Sequence, residues 1–322
     1  MKFPGKAIPA ISLAPAAVCA NAAGPVPGGL DKNGRRLAAP IASRAGFGYV
    51  RPARLLGDLA AGGLVRRRRP PVSASAAAVA LLAIAAVSFG FPAAAAECGA
   101  DALGTARTLI LKREYGAWGA SQHTALPLRK GEVVLTFDDG PRPDTTPRVL
   151  KALADHCVKA TFFMVGNNMA AFPDLARSVV RAGHSAAMHS YAHPYLGHLA
   201  PADQLADLKK TQEVYQATLG AAAPAYRFPM LAETPTLMAA LQAQHIAVFS
   251  IDVGIGDWEA DVTTGVLAAR LAENLKAAGG GIVLMHDAYG PLADALPVLL
   301  KLLKDGGYQV VHLEWEGAKD PD

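Results

Sequence analysis

The chain has 322 residues, a formal charge of +4, 52% hydrophobic residues, 7% aromatics and 3 cysteines. Such a length buries a substantial core in one large domain or two ordinary ones, and so few cysteines exclude a disulfide scaffold. The charge sums two unlike pieces: residues 1–96 hold 12 Lys/Arg against 2 Asp/Glu, whereas residues 97–322 hold 19 against 25 and contain all nine histidines. The piece able to do chemistry is acidic, so no nucleic-acid backbone is expected as a partner.

In chain order, residues 1–65 show no sustained period of 2 or 3.6 and are rich in Ala, Gly, Pro and Arg. A segment so poor in large apolar residues cannot offset its ordering entropy, and a disordered leader is expected. Residues 66–96 then run basic, apolar, small. Arg66-Arg67-Arg68-Arg69 precedes an uncharged stretch centred on Leu81-Leu82-Ala83-Ile84, and Ala93-Ala94-Ala95-Ala96 offers an A-x-A exit before Glu97. That order is a secretory signal, so an exported protein is expected, periplasmic or secreted. Its position some 65 residues into the chain leaves three arrangements. The preferred one starts translation near Leu64 or Val65. A membrane anchor with residues 1–69 cytoplasmic agrees with the positive-inside rule, though an Ala-rich stretch of this length spans only marginally. A long pre-sequence is the third. Membrane contact is thus expected only if residues 70–96 are retained.

Export permits disulfides, and removal of the leader with Cys19 leaves Cys98 and Cys157 as an even pair. A bridge is expected between them, tying an N-terminal extension (97–131) to the end of the first helix of a domain covering 132–322. Two unlinked thiols are the alternative.

From Glu132 onward apolar runs alternate with helical patterns. Strands are expected at 133–137, 160–165, 184–188, just before Arg227, at 246–251, 281–285 and 308–311. Helices are expected between them at 146–156 (Thr146 as N-cap, Pro147 at N1), 169–183, 201–219, from Thr234-Pro235, at 262–277 and at 292–304. This β-α alternation predicts an α/β fold with parallel strands wrapped by helices, and a doubly wound sheet and a barrel fit the count equally. Active residues of a barrel collect at the C-terminal ends of its strands. Here Asp138-Asp139, His189 and His193, Arg227, Asp252 and His286 each stand where a strand has just ended.

Three of these groups carry chemistry by their type and spacing. In Thr136-Phe137-Asp138-Asp139-Gly140-Pro141 two adjacent carboxylates diverge, so one can bind a metal while the other works beside it; alone, the segment also reads as an ordinary acidic turn. In His189-Ser190-Tyr191-Ala192-His193 the i, i+4 spacing lets both imidazoles face one point if the segment makes a helical turn. Two imidazoles and a carboxylate form a metal site with open positions for water or substrate, as hydrolytic centres require. His286 has no histidine four residues away, which suits an acid role; the plainer reading is a core histidine held by Asp287. The remaining six histidines read as surface or structural.

These segments resemble the polysaccharide deacetylase family, carbohydrate esterase family 4, with its NodB-homology domain. TFDDGP and HSxxH are joined in order by Arg227-Phe228-Pro229 for an R-x-P motif, Asp257-Trp258 for D-W and Leu284-Met285-His286 for L-x-H. The resemblance runs from about Glu132 to Leu313. It implies a distorted barrel of seven or eight β/α units and one divalent metal ion, zinc first, with cobalt or nickel accepted by the same donors. By that similarity Asp139, His189 and His193 would hold the metal, and Asp138 would be the general base, held by Arg227. The backbone N–H of Met230 would meet the oxyanion. His286 would protonate the departing amine with Asp257 tuning it, and Trp258 and Leu284 would shape the acetyl pocket. The implied activity is removal of N-acetyl groups from N-acetylglucosamine-type residues of a poly- or oligosaccharide; a monomer acting on an acetylated glycan is expected. Alternatives are an O-acetyl esterase on an acetylated polysaccharide and a non-catalytic glycan-binding relative. Two departures touch the substrate side. Met230 replaces an aromatic, and the Asp252-to-Asp257 segment is longer than the common form, which leaves Asp252 the weaker candidate.

Overall fold

The structure, a computed structural model, describes residues 98–99 and 101–317. The expected leader (1–65) and signal segment (66–96) lie outside the described residues. The elements run β1 (Thr105–Leu111), β2 (Ala117–Trp118), β3 (Glu132–Asp138), α1 (Thr146–Asp155), β4 (Thr161–Met164), α2 (Gly166–Ala171), α3 (Pro173–Arg181) and β5 (Ser185–Met188). They continue as α4 (Pro201–Leu219), β6 (Ala225–Tyr226), α5 (Pro235–Ala243), β7 (Ala247–Phe249), β8 (Val253–Gly254), α6 (Thr264–Ala278), β9 (Gly281–His286), α7 (Gly290–Asp305) and β10 (Gln309–Trp315).

Strands β3 to β7 pair in sequence order, all parallel, and β9 pairs with β3 on one side and β8 on the other. Those seven strands form a barrel with a seam between β7 and β8, whose ladders do not join; β2 takes the free edge of β7. The distorted barrel is therefore the architecture, and its distortion has a location.

Side-chain alternation along the strands sorts the core into two layers. Val133, Leu135, Phe137, Phe162, Met164, Met188, Val248 and Val283 pack with the helix residues Leu153, Leu208, Leu237, Leu271 and Leu299. That layer is outside the barrel. The alternate positions Val134, Phe163, Ala187, Ala225, Ala247, Phe249 and Ile282 cluster instead with Val311, Leu313 and Trp315 of β10. They fill the interior from its N-terminal end, where β10 meets the first residues of β3. Following the inward phase toward the strand ends gives Thr136 and Asp138 after Val134, His189 after Ala187, Arg227 after Ala225, and Leu284 and His286 after Ile282. The site is the upper layer of the barrel interior.

The extension at 97–131 is part of this sheet. Its β1 lies parallel to β10, and Arg107 forks onto buried Glu132 at 2.7 and 2.6 Å. That hydrogen bond outweighs burial and lowers the Glu132 carboxyl to about 2. Cys98 and Cys157 form a disulfide with their Cα atoms 5.8 Å apart. Sequence patterning gave no element in 97–131, because β1 is a half-exposed edge strand and β2 has two residues. Two further corrections follow from local chemistry. The helix expected over 169–183 is split in two by Pro173, whose predecessor Phe172 has φ −130° and ψ 58°. Thr145, not Thr146, is the N-cap of α1, and Thr146 Oγ1 instead donates to Asp287.

Candidate active site

Asp138 ends β3 with its side chain buried, facing a guanidinium that is also fully buried. Arg227 Nη1 donates to Asp138 Oδ1 at 2.7 Å and to Thr136 Oγ1 at 2.9 Å. Its Nη2 donates to Ser250 O at 3.1 Å, and the group lies 4.1 Å over the Phe163 ring. Burial pushes the arginine down from its ordinary range, and the Asp138 carboxylate opposes that shift. The guanidinium occupies one oxygen of Asp138 and leaves Oδ2, which lies 3.6 Å from His189 Nε2.

Asp139 takes the opposite direction because its backbone is left-handed, with φ 73°. Its Oδ1 lies 3.5 Å from His189 Nε2 and 3.3 Å from His193 Nε2. The two imidazoles are not brought together by a helical turn, as the i, i+4 spacing had suggested. Left-handed residues at Ser190 (φ 60°) and His193 (φ 54°) fold the loop instead, and His193 N–H donates to Ser190 Oγ at 2.9 Å. Non-helical backbone thus reaches the same convergence, with ring centroids 5.0 Å apart.

These three side chains fit a divalent cation. One donor atom from each of Asp139, His189 and His193 lies within 4.8 Å of the others. Asp139 Oδ1 is buried without a hydrogen-bond partner in the protein. His189 Nδ1 faces the Arg227 carbonyl at 2.8 Å, which assigns the ring proton there and leaves the Nε2 lone pair to the cluster. Burial lowers the His189 pKa, the direction that favours the neutral ring a ligand needs.

His286 ends β9 directly beside Asp138 in register. Asp257 is buried and holds it twice, accepting from the backbone N–H at 2.7 Å and facing Nδ1 at 2.9 Å. Burial alone would depress the imidazole, but the Asp257 carboxylate, helped by Asp138 and Asp139, raises it to about 9. Trp258 and Tyr289, both partly exposed, set their rings edge-on to His286 at 5.2 and 5.6 Å. Leu284 is buried two positions below it, and Met230 is half exposed in a turn after β6 with φ 53°.

The holder of His286 is therefore Asp257 and not its neighbour Asp287. Asp287 is buried behind the Asp138–Asp139 turn, where its N–H donates to Asp138 O at 3.1 Å. Burial raises its carboxyl to about 7. Asp252 stands apart from the cluster, accepting from Ile282 N–H at 2.6 Å and Ala120 N–H at 2.5 Å to tie β9 to the loop after β2. Sequence reasoning missed Asn168 and Asp207, which grip the backbone of the loops carrying Asp139 and His189–His193. Asn168 donates to Asp139 O and Asp207 accepts Tyr191 N–H, and contacts to backbone leave no signal in the sequence.

Residues 125–248 match the family model described as polysaccharide deacetylase. The chain is 33% identical over 195 residues to a peptidoglycan-N-acetylglucosamine deacetylase of Bacillus cereus, covering 58% of this chain and 68% of that protein. It is 34% identical over 160 residues to a chitooligosaccharide deacetylase of a Bradyrhizobium species, covering 49% and 72%. Among solved structures it resembles a peptidoglycan deacetylase of Bdellovibrio bacteriovorus with TM-score 0.61 and 28% identity, over 67% of this chain and 60% of that one. A family 4 pseudoenzyme of Bacillus anthracis matches with TM-score 0.53 and 27% identity, over 58% and 65%. The barrel, the motif residues gathered at its strand ends and these relatives agree: the chain belongs to the polysaccharide deacetylase family, carbohydrate esterase family 4.

Proposed function

We propose that the protein is an exported, metal-dependent hydrolase that removes N-acetyl groups from N-acetylglucosamine-type residues of a poly- or oligosaccharide. The observation carrying this reading is the division of labour within one carboxylate pair. Asp138 is turned to a guanidinium and Asp139 to two imidazoles, with a carboxylate-held histidine on the adjoining strand. A divalent cation held by Asp139, His189 and His193, zinc first among those the donors accept, supplies Lewis-acid polarisation and a lowered water pKa.

The chain's own residues handle the protons. Asp138 Oδ2, the oxygen that Arg227 leaves open, accepts a proton from the attacking water as its oxygen bonds to the acetyl carbon. The backbone N–H of Met230 donates to the oxygen that takes up negative charge. Collapse breaks the C–N bond, and His286 gives its Nε2 proton to the departing amine while Asp257 keeps the ring oriented through Nδ1. Trp258 and Leu284 bound the acetyl group. The products are acetate and a free amine.

The relatives' names support an amino-sugar substrate, since they include peptidoglycan, chitin and chitooligosaccharide deacetylases. The disulfide supports export to an oxidising compartment. A pseudoenzyme among the relatives makes non-catalytic glycan binding the second reading, and the complete proton-handling set here argues against it. The test is a panel of chitin oligomers, peptidoglycan and acetylated xylan, assayed for acetate and for amine. Equal acetate and amine from an amino-sugar polymer is expected. Acetate without amine from xylan would transfer the reading to an O-esterase, and no acetate from any of them would overturn catalysis.

A further inference from the structure

The two loops that carry the cation ligands come from different strands, and something must fix the gap between them. The loop after β3 presents Asp139, and the loop after β5 presents His189 and His193. Both are held by the first turn of α2, which follows β4, the strand lying between them. Gly166 N–H donates to Ser190 O at 2.9 Å and Asn167 N–H to Tyr191 O at 2.8 Å. On the other side, Asn168 Nδ2 donates to Asp139 O at 2.8 Å. Three consecutive residues thus clasp both loops at once. The close approach requires glycine: a Cβ on Gly166 would sit 2.8 Å from Tyr191 Cδ2 and 3.1 Å from its Cα.

Two of the three contacts are main-chain bonds that any residue could make. The Asn168 contact is the only one of them made by a side chain, and it falls on the ligand residue whose backbone is left-handed. From behind, Asp207 on α4 completes the clamp by accepting Tyr191 N–H at 2.9 Å, with Lys210 Nζ 3.8 Å over the Tyr191 ring.

We infer that Asn168 is a positioning residue for the cation site: its carboxamide fixes Asp139 relative to His189 and His193 by joining the Asp139 carbonyl to the helix turn that holds the histidine loop. This rests on the reading of those three residues as metal ligands. Loss of such an outer contact lowers metal affinity by roughly tenfold to a hundredfold. The bland reading is that Asn168 caps one loop carbonyl and matters to stability alone.

The two separate by measuring Zn2+ affinity of the purified chain against a chromophoric chelator, with the melting temperature of the metal-free protein alongside. Asn168→Ala and the similarly sized Asn168→Leu, which keeps the bulk and loses the donor without adding charge, are each expected to weaken Zn2+ binding at least tenfold. Asn167→Ala, whose part is main-chain only, is expected to stay within twofold. Wild-type affinity in either folded Asn168 variant overturns the inference, whatever the melting temperature does. A wild-type chain that takes up no divalent cation overturns the metal reading itself, and this inference with it.

Discussion

The two ends of the barrel each bury histidine, and the contrast between them shows what burial does and does not decide. At the C-terminal end His286 is raised to about 9. At the N-terminal end His184 is lowered to about 3 and His312 to about 4. Removal from water disfavours the charged ring at all three. At His286 a buried carboxylate, Asp257, touches the ring; at the other end the charge that acts on both rings is the Lys159 ammonium. Glu314 does lie 3.3 Å from His312, but it is half in solvent, where its field is screened. The lower end instead fixes its rings with neutral groups: Ala160 N–H donates to His184 Nδ1 at 3.2 Å, and Ser185 Oγ lies 3.1 Å from His312 Nε2. At one end a carboxylate holds the ring charged; at the other, burial beside neutral partners keeps the rings uncharged at neutral pH.

The contrast can be broken from the top by removing a charge. Arg227→Met leaves Asp138 buried and unpaired, and chemical denaturation should report a loss of about 3–5 kcal/mol. A loss below 1 kcal/mol would mean that water or a neighbour replaces the guanidinium.

Asp257→Asn tests the source of the raised His286. The folded pKa stands above the ordinary 6.5, so the ring is protonated below about 9 and the acid is lost as pH rises through that value. With the carboxylate gone, the alkaline limb of the kcat profile should move to lower pH, with a fall of roughly tenfold to a hundredfold at pH 8. An unmoved limb would assign that ionisation elsewhere.

The lower end gives the smallest effect. The unfolded chain takes up protons on its histidines near pH 6.5, the folded chain only near 4 and 3. Stability is therefore full above pH 6.5 and lost as pH falls, by about 2 kcal/mol per histidine at pH 5. His312→Gln should lessen the drop in melting temperature between pH 7 and pH 5, and an unchanged drop would exclude His312 as a cause.

How much of this was legible in the sequence differs by residue. Asp138, Asp139, His189, His193 and His286 stand out because each is an ionisable group directly after an apolar strand. The partners of Asp138 and His286 were reached through the R-x-P and D-W motifs, since nothing in chain distance tells Arg227 that Asp138 is near. The convergence of HSxxH, readable as conditional on a helical turn, is met instead by a loop with two left-handed residues. Asn168, Asp207 and the β1 strand were invisible for one reason. Their contacts are to backbone or to a distant edge, and neither leaves a periodic or compositional trace.

The central claim is that two adjacent carboxylates have separate duties, and metal content read together with rate tests it most directly. Asp138→Asn should keep a full equivalent of Zn2+ while acetate release falls about a thousandfold, whereas Asp139→Asn should lose the metal itself. Metal lost from Asp138→Asn and kept by Asp139→Asn, or an Asp138→Asn protein with wild-type rate, would contradict the account.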